Sequence, residues 1–454
     1  MNTFFTKIKS TLLFLGDIVL LYLVLSAVLI LRYSGDFTGH IWNQHFWPFT
    51  IMFAAWLVVF YISGLYDNRN NKNDINFYSL VFKTILINAG VGVVYFYIFF
   101  GRLFTIRPMW VFVVYLIIFS FVFLLWRRLY NQLTLTDAFL QNVFFIGNGK
   151  ELNEFIEELK RKPYLGYRVV DHLVVDKGES EPVKNLDLTQ VLKDKNIDIV
   201  VTSLDMHRIP EIVSQFYKNL FLGIRYYDFP TFYERVTGKV PVTTIGQLWF
   251  LENLSERDKN VYESFKRITD VSASILIGLV AALLTPFIAL AIKLDSKGPV
   301  LFLQKRVGKG GKPFLAMKFR SMVTGADHNG PQWTRKNDSR ITRLGIFLRK
   351  TKLDEIPQLI NVLKGEMSFI GPRPEQVEFV ENLTKKVPYY NERHLVKPGL
   401  TGWAQVNLPL GGASEEDTLQ KLQHDLYYIK HRSVFFDLGV LLKTINIILT
   451  GQGR

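Results

Sequence analysis

Four apolar runs dominate the first third of the chain, at residues 11–31, 47–65, 78–100 and 109–126. Each approaches the ~20 residues that a bilayer-crossing helix needs, so the pattern predicts four membrane helices. The first run is long enough to span and lacks a small-residue cleavage site, which predicts that it stays in the protein. Basic residues set the orientation. Lys7 and Lys9 precede the first run, Arg69 and Lys72 separate the second from the third, Lys83 lies just inside the third, and Arg127 and Arg128 follow the fourth. Arg32, Arg102 and Arg107 fall on the opposite side. The balance predicts both ends of the four-helix unit in the cytoplasm. Asp17, inside the first run, reads as a helix-packing contact rather than a pathway residue.

A fifth apolar stretch, 268–292, differs in its flanks. Lys266 and Arg267 come before it; Lys293, Lys297, Lys305 and Arg306 come after. A crossing helix should carry its basic residues on one side. Thr285-Pro286 interrupts the run, and proline removes a helical hydrogen bond. Symmetric flanks and an internal proline predict a re-entrant helix-break-helix over 266–293 that enters and leaves by one face. A fifth crossing helix with a tolerated proline is the competing reading.

Between 140 and 230 the period shortens. Runs at 143–147, 167–175, 198–203 and 223–228 read as strands, with helical pattern at 151–161 and 208–220. This βαβ rhythm predicts a small, Rossmann-like parallel sheet. Gly147-Asn148-Gly149 looks like the opening of a dinucleotide fingerprint, but Leu152 stands at the third glycine position. That favours a scaffold over a nucleotide sensor. Residues 236–262 read as a connector.

From Pro299 onward polar motifs crowd together. They include Arg306-Val-Gly308, Lys318-Phe-Arg320, Asp338-Ser-Arg340-Ile-Thr342, Arg349, Leu353-Asp354-Glu355-Ile-Pro357-Gln358, Gly371-Pro-Arg373-Pro374 and Lys397-Pro-Gly-Leu-Thr-Gly402. Two adjacent carboxylates flanked by arginines suit chemistry on a phosphate ester. One can attack phosphorus, the other can hold a divalent cation, and the arginines balance the remaining charge. Pro357 favours a helix start, so 358–364 is predicted to be helical. The acid pair then sits at a positive helix end, which should keep Asp354 ionised. Adjacent side chains point in different directions, so divided roles fit better than one shared proton. The competing reading is an acidic pair that merely starts a helix.

These C-terminal motifs, with Lys266-Arg267 and the Pro286-broken apolar segment, resemble the bacterial sugar transferases. These are polyprenol-phosphate hexose-1-phosphate transferases of the monotopic phosphoglycosyl transferase superfamily. The likeness covers roughly 260–454, and the four N-terminal spans with the degenerate middle domain resemble the long-form members. It implies a ping-pong reaction in which Asp354 attacks the sugar-linked phosphate of a UDP-sugar, UMP leaves, and undecaprenyl phosphate takes the sugar phosphate from the aspartyl intermediate. It implies Glu355 as a Mg²⁺ ligand, Arg349 and Arg373 at phosphate, Lys318 and Arg320 near the site, and Arg340 beside them. Gln405 and Asp425 are further candidates, with local turn or helix structure as the competing reading. Thr285 stands where relatives commonly place serine; its hydroxyl can bond carbonyls freed by Pro286. The glycine-rich segment 408–413 is expected near the nucleotide or sugar. A hexose, glucose or galactose, is the expected sugar. The alternatives are an N-acetylated or deoxyamino sugar, or a vestigial transferase acting as an export scaffold. A homodimer is expected by the same likeness.

Composition agrees with this picture. The formal charge is +14 with 49% hydrophobic residues and a mean hydropathy of +0.15. Such a balance points to nucleic acid, anionic lipid or a phosphorylated substrate. No RNA- or DNA-binding motif is present, so membrane lipid and phosphorylated substrates remain. The chain has no cysteine, which excludes thiol catalysis and thiolate metal sites. The expected fold is a membrane protein of α plus α/β class. It has a four-helix transmembrane bundle (1–130), a Rossmann-like βαβ domain (131–235), a connector (236–262) and a mainly helical catalytic domain with a re-entrant membrane helix (263–454). The bacterial inner membrane is the expected location, with the catalytic domain on the cytoplasmic face.

Overall fold

A computed structural model describes residues 4–33, 37–67, 72–99, 109–134, 136, 139–175, 188–204, 210–254, 259–326, 338–408 and 414–450. Arg69, Arg102, Arg107 and the segment 409–413 lie outside the described residues, as do the side chains of Lys7 and Lys9. The chain divides into two compact units, Met1–Phe229 and Pro230–Arg454.

In the first unit, helices α1 (Phe4–Tyr33), α2 (Gly39–Ile62), α3 (Ile75–Phe99) and α4 (Met109–Leu133) contain the four predicted runs. All four are long and apolar enough to cross a membrane. Their shared interior is aromatic: Phe49, Trp56, Phe60, Tyr115, Phe119 and Phe123 are buried together. Phe60 and Phe123 stack with ring centroids 4.9 Å apart, a separation at which aromatic pairs attract beyond simple burial. Leu23, Leu31, Ile117 and Phe121 point outward and exposed, and apolar surface of that extent marks contact with lipid. Asp17 is a packing contact, as expected. Its Oδ2 accepts from Arg127 at 2.6 Å and its Oδ1 from the Trp126 indole at 3.0 Å. Arg127 also donates to the Leu65 carbonyl at 2.8 Å, so one buried ion pair ties α1, α4 and the end of α2.

The same unit holds four parallel strands, β1 (Gln141–Ile146), β2 (Tyr167–Leu173), β3 (Ile199–Thr202) and β4 (Arg225–Asp228), in the order β2-β1-β3-β4. Helices α5 (Lys150–Arg161), α6 (Leu188–Asp194) and α7 (Pro210–Lys218) lie between them in sequence. β3 is buried along its whole length and β1 nearly so, which explains their unbroken apolar sequence. Helix α5 packs through Leu152, Phe155, Ile156 and Leu159. Leu152, at the third glycine position of the fingerprint, is therefore a core residue.

The second unit begins within α8 (Phe229–Thr237) and continues with α9 (Gln247–Asn253) and α10 (Asn260–Asp295). The hairpin β5 (Leu301–Val307) and β6 (Pro313–Phe319) follows, then α11 (Arg343–Lys350), α12 (Gln358–Lys364) and β7 (Ser368–Ile370). The remainder is α13 (Val377–Lys386), β8 (Gly399–Thr401), α14 (Trp403–Asn407), α15 (Glu415–His431) and α16 (Val434–Thr450). Val240, Tyr390, Leu422, Leu426, Ile429 and Val440 share its core. Residues 236–262, read from sequence as a connector, are built into this unit. The Val240 amide donates to the Gln423 carbonyl, and the Trp403 indole donates to Gly238.

Helix α10 is the fifth helix long and apolar enough for a membrane. It is assigned as one helix through Pro286. The Thr285 hydroxyl donates to the Ala281 carbonyl at 2.8 Å, one residue before the carbonyl whose partner Pro286 removes. A threonine bonded in this way favours helix bending. The middle of α10 is exposed at Leu276, Leu279, Leu283 and Phe287.

Candidate active site

The acid pair lies between α11 and α12. Thr342 caps α11, its side chain accepting from the Gly345 amide at 3.0 Å, as N-cap threonines do. The chain leaves α11 through Lys352, which holds φ +60°, ψ 13°. A left-handed lysine is uncommon and marks a strained turn. Leu353, Asp354 and Glu355 then form a single 3₁₀ turn, and Pro357 caps the predicted helix at Gln358–Lys364. The pair thus sits one turn ahead of α12.

The two carboxylates have unlike surroundings. Glu355 Oε1 accepts from Lys318 Nζ and from Arg373 Nη2, each at 2.8 Å. Lys318 comes from the end of β6 and Arg373 from the loop after β7. Burial alone would raise the Glu355 carboxyl, but Arg373, Lys318 and Lys352 together hold it well below the usual carboxylate range. Asp354 is 7% exposed, and its Oδ1 accepts no hydrogen bond. Burial and the adjacent Glu355 charge push the Asp354 carboxyl up, against Lys318, Arg349 and Lys352. This corrects the expectation that a helix end would lower it: desolvation outweighs the dipole here. Burial pushes the Lys318 ammonium down to about 8, against the pull of Glu355. Two carboxyls driven apart in this way suit different roles.

Arg349, Lys318 and Arg373 therefore gather around the acid pair. Four other candidates are held elsewhere. Arg320 lies one residue past β6 and donates to the carbonyls of Lys297, Ser296 and Ile292. It closes the C-terminal end of α10. Arg340 makes a two-pronged pair with Asp338, at 2.9 and 2.7 Å, and donates to the Ala326 carbonyl. Gln405 Nε2 donates to the Leu400 carbonyl at 3.2 Å. Asp425 is buried against Arg393, which also donates to the Arg373 carbonyl at 3.0 Å. Asp425 thus acts on the site through the backbone that carries Arg373.

The base of α10 is bolted to the same elements. Arg267 donates to the carbonyls of Val362 and Leu363, both at 2.6 Å, at the negative end of α12 where a cation is favoured. Lys266 pairs with Asp437 at 2.6 Å. Asp270 accepts from the Ser368 hydroxyl and the Phe369 amide, fixing β7. The Gly371 and Gly399 motifs interlock there. A Cβ on Gly399 would lie 2.1 Å from the Gly371 nitrogen, and one on Gly371 would lie 2.4 Å from the Lys397 carbonyl. Only glycine allows the two loops to approach so closely, and the contact fixes the turn that presents Arg373.

Sequence reasoning missed Lys352 and Gln358 as site residues. Lys352 gives no signal in sequence, because its role follows from a left-handed turn. Gln358 was visible only as a motif member. It lines a cleft with Arg306, Lys318 and Arg373. Among the described residues no group of three or more His, Asp or Glu side chains gathers. The Glu355 carboxylate still fits magnesium, which binds through one or two carboxylates together with substrate phosphates. Both charged hydrogen bonds of Glu355 fall on Oε1, which leaves Oε2 as a suitable ligand atom.

Comparison with known proteins places the chain in a family. The family model described as bacterial sugar transferase matches residues 261–451. A UDP-N-acetylgalactosamine-undecaprenyl-phosphate N-acetylgalactosaminephosphotransferase from Aeromonas hydrophila is 46% identical over 42% of this chain and 45% of its own length. A UDP-glucose:undecaprenyl-phosphate glucose-1-phosphate transferase from Xanthomonas campestris is 33% identical over 71% of this chain and 69% of its own. Its Escherichia coli K12 namesake is 36% identical over 64% of each chain. The Aeromonas match spans under half of that relative, whereas the Xanthomonas match reaches beyond the catalytic unit into the N-terminal half. On that breadth of likeness, the chain belongs to the bacterial sugar transferase family.

Proposed function

We propose that the protein transfers a sugar 1-phosphate from a UDP-sugar to undecaprenyl phosphate. In the first step Asp354 attacks the β-phosphorus. A carboxylate oxygen–phosphorus bond forms, the bond to the α-phosphate oxygen breaks, and UMP leaves with that electron pair. In the second, an oxygen of undecaprenyl phosphate attacks the same phosphorus, and the Asp354 carboxylate departs. The product is undecaprenyl-diphospho-sugar, the starting unit of an exopolysaccharide, capsule or O-antigen. The observation that carries this reading is the unequal acid pair. Asp354 is buried with Oδ1 free of hydrogen bonds, while Glu355 is fixed by Lys318 and Arg373. A nucleophile must not be locked to a cation, and a transferring diphosphate needs positioned cations beside it.

Glu355 would hold Mg²⁺ together with the diphosphate; when bound, the ion neutralises charge on the phosphate oxygens. Arg349 and Arg373 would meet the remaining phosphate charge.

We read α10 as re-entrant. Its two halves pack on one unit. Arg267 and Asp270 hold α12 and β7 near one end, while Ile288 and Ile292 pack with Leu348 and Phe319 near the other. Its exposed apolar middle would lie in lipid, and the acid pair would face the polyprenol headgroup at the cytoplasmic side of the inner membrane, where UDP-sugars are made. The parallel sheet of the first unit fits a Rossmann-like scaffold, since the Gly149 amide is taken by Asn148.

The donor is a hexose, with glucose or galactose as the first reading, in line with the names of the Xanthomonas and Escherichia relatives. An N-acetylated hexose is the second, favoured by the Aeromonas relative's name. The test is UMP release in detergent with Mg²⁺, undecaprenyl phosphate and UDP-glucose, UDP-galactose, UDP-N-acetylglucosamine or UDP-N-acetylgalactosamine. Release with one donor supports the assignment; no release with any donor from folded protein overturns it.

A further inference from the structure

Gln358 opens α12 and is 4% exposed. Among the described residues its side-chain amide has no hydrogen-bond partner. The amide is not among the fully buried polar atoms that lack a partner, so it reaches the cleft with its donor and acceptor to spare. Gln358 also lines the cleft shared by Lys318, Arg306 and Arg373. Two of those cations also bind Glu355, so the cleft borders the acid pair.

The backbone from Asp354 to Gln358 is helical in type: a 3₁₀ turn, then Ile356 at φ −51°, ψ −43° and Pro357 at φ −61°, ψ −18°. Residues four apart on such a backbone lie on one face, with Cβ atoms roughly 6 Å apart. Gln358 is therefore one turn from Asp354 on the same side. Displacement at phosphorus places the attacking and leaving oxygens in line. The nucleotide departs on the side away from Asp354, while the sugar stays on the equatorial ring of oxygens beside it. A group one turn from the nucleophile is thus closer to the retained half of the donor than to the departing UMP. The chemistry of the side chain agrees. A phosphate accepts only, whereas an amide offers both a donor and an acceptor, as a sugar hydroxyl does.

We propose that Gln358 binds the hexosyl half of the donor through a hydroxyl group and holds it beside Asp354. This rests on the transferase reading above. The test uses the full chain in detergent with Mg²⁺, comparing wild type with Gln358→Leu, and with Gln358→Glu should the leucine variant not fold. Three quantities are read: kcat/KM for the UDP-hexose, the inhibition constant of UMP, and Tm. The expected result is a fall in kcat/KM of at least tenfold with UMP inhibition within twofold of wild type. A parallel weakening of UMP would assign the amide to the nucleotide and overturn the proposal. Unchanged kinetics with a lowered Tm would make Gln358 a packing residue. Absence of UMP release from wild type would instead remove the transferase reading on which the proposal stands.

Discussion

Glu355 accepts two charged hydrogen bonds on one oxygen, whereas Oδ1 of the adjacent Asp354 accepts none. Removing the Glu355 charge should therefore disturb the cations first. In Glu355→Gln, Lys318 and Arg373 lose their shared anion and are free to clamp the diphosphate in the wrong place. UMP release should fall at least 100-fold, a loss of about 2.7 kcal/mol or more in the barrier. It should also need more Mg²⁺ to reach its own maximum. A magnesium titration of both proteins checks this.

Lys318 gives the pH dependence a sign. Its ammonium is pushed down to about 8, so its charge is present below that pH and lost above it. If the charge serves phosphate binding, kcat/KM falls as pH rises through about 8. Lys318→Arg, which stays charged, should move the alkaline fall upward. The raised Asp354 carboxyl sets the acid side of the profile, since the attacking form is ionised. Linkage predicts the stability trend as well. Between about 8 and the ordinary lysine range the folded state binds fewer protons than the unfolded one, so stability gains from Lys318 as pH rises there. Wild-type and Lys318→Arg rate profiles from pH 5.5 to about 9.5 span the window set by these groups.

Arg267 ties the membrane helix α10 to α12 through two carbonyls. Arg267→Met should cost about 1–3 kcal/mol, the scale of lost hydrogen bonds from a charged group. Arg267→Lys should cost less, because one charge still meets the helix end. Thermal unfolding in detergent separates the two.

The Asp17–Arg127 pair is fully buried. Asp17→Asn leaves a buried guanidinium without its counter-charge, a change that typically costs about 3–5 kcal/mol. Asp17→Asn with Arg127→Met should recover part of that loss. Both unfolding curves, read on the full chain, decide whether the pair is a structural clamp.

Much of this was legible in the sequence, and the misses have physical reasons. The membrane helices follow from apolar length, and the β1 and β3 cores from unbroken hydrophobic runs. Helix α12 was readable because Pro357 and Gly365 punctuate both ends. Arg320 was given by the family resemblance alone. It is two residues from Lys318, and strand alternation would put both on one face. β6 ends at Phe319, so the alternation stops and Arg320 turns to the carbonyls of α10. Arg340 carries the same phosphate-binding chemistry as Arg373, but Asp338 lies two residues away and takes it. The direction of the Asp354 shift depends on burial, which no local pattern reports. Gln358 depends on an unmet hydrogen bond, which is equally invisible before folding.

The central claim is that Asp354 carries the sugar phosphate, and it is tested most directly by leaving out the acceptor. Wild-type protein mixed with its UDP-sugar and Mg²⁺, without undecaprenyl phosphate, should release about one UMP per active site. It should also gain the mass of a sugar phosphate on the peptide containing Asp354, and Asp354→Asn should do neither. UMP release that requires the acceptor, or an unchanged burst in Asp354→Asn, would contradict the account.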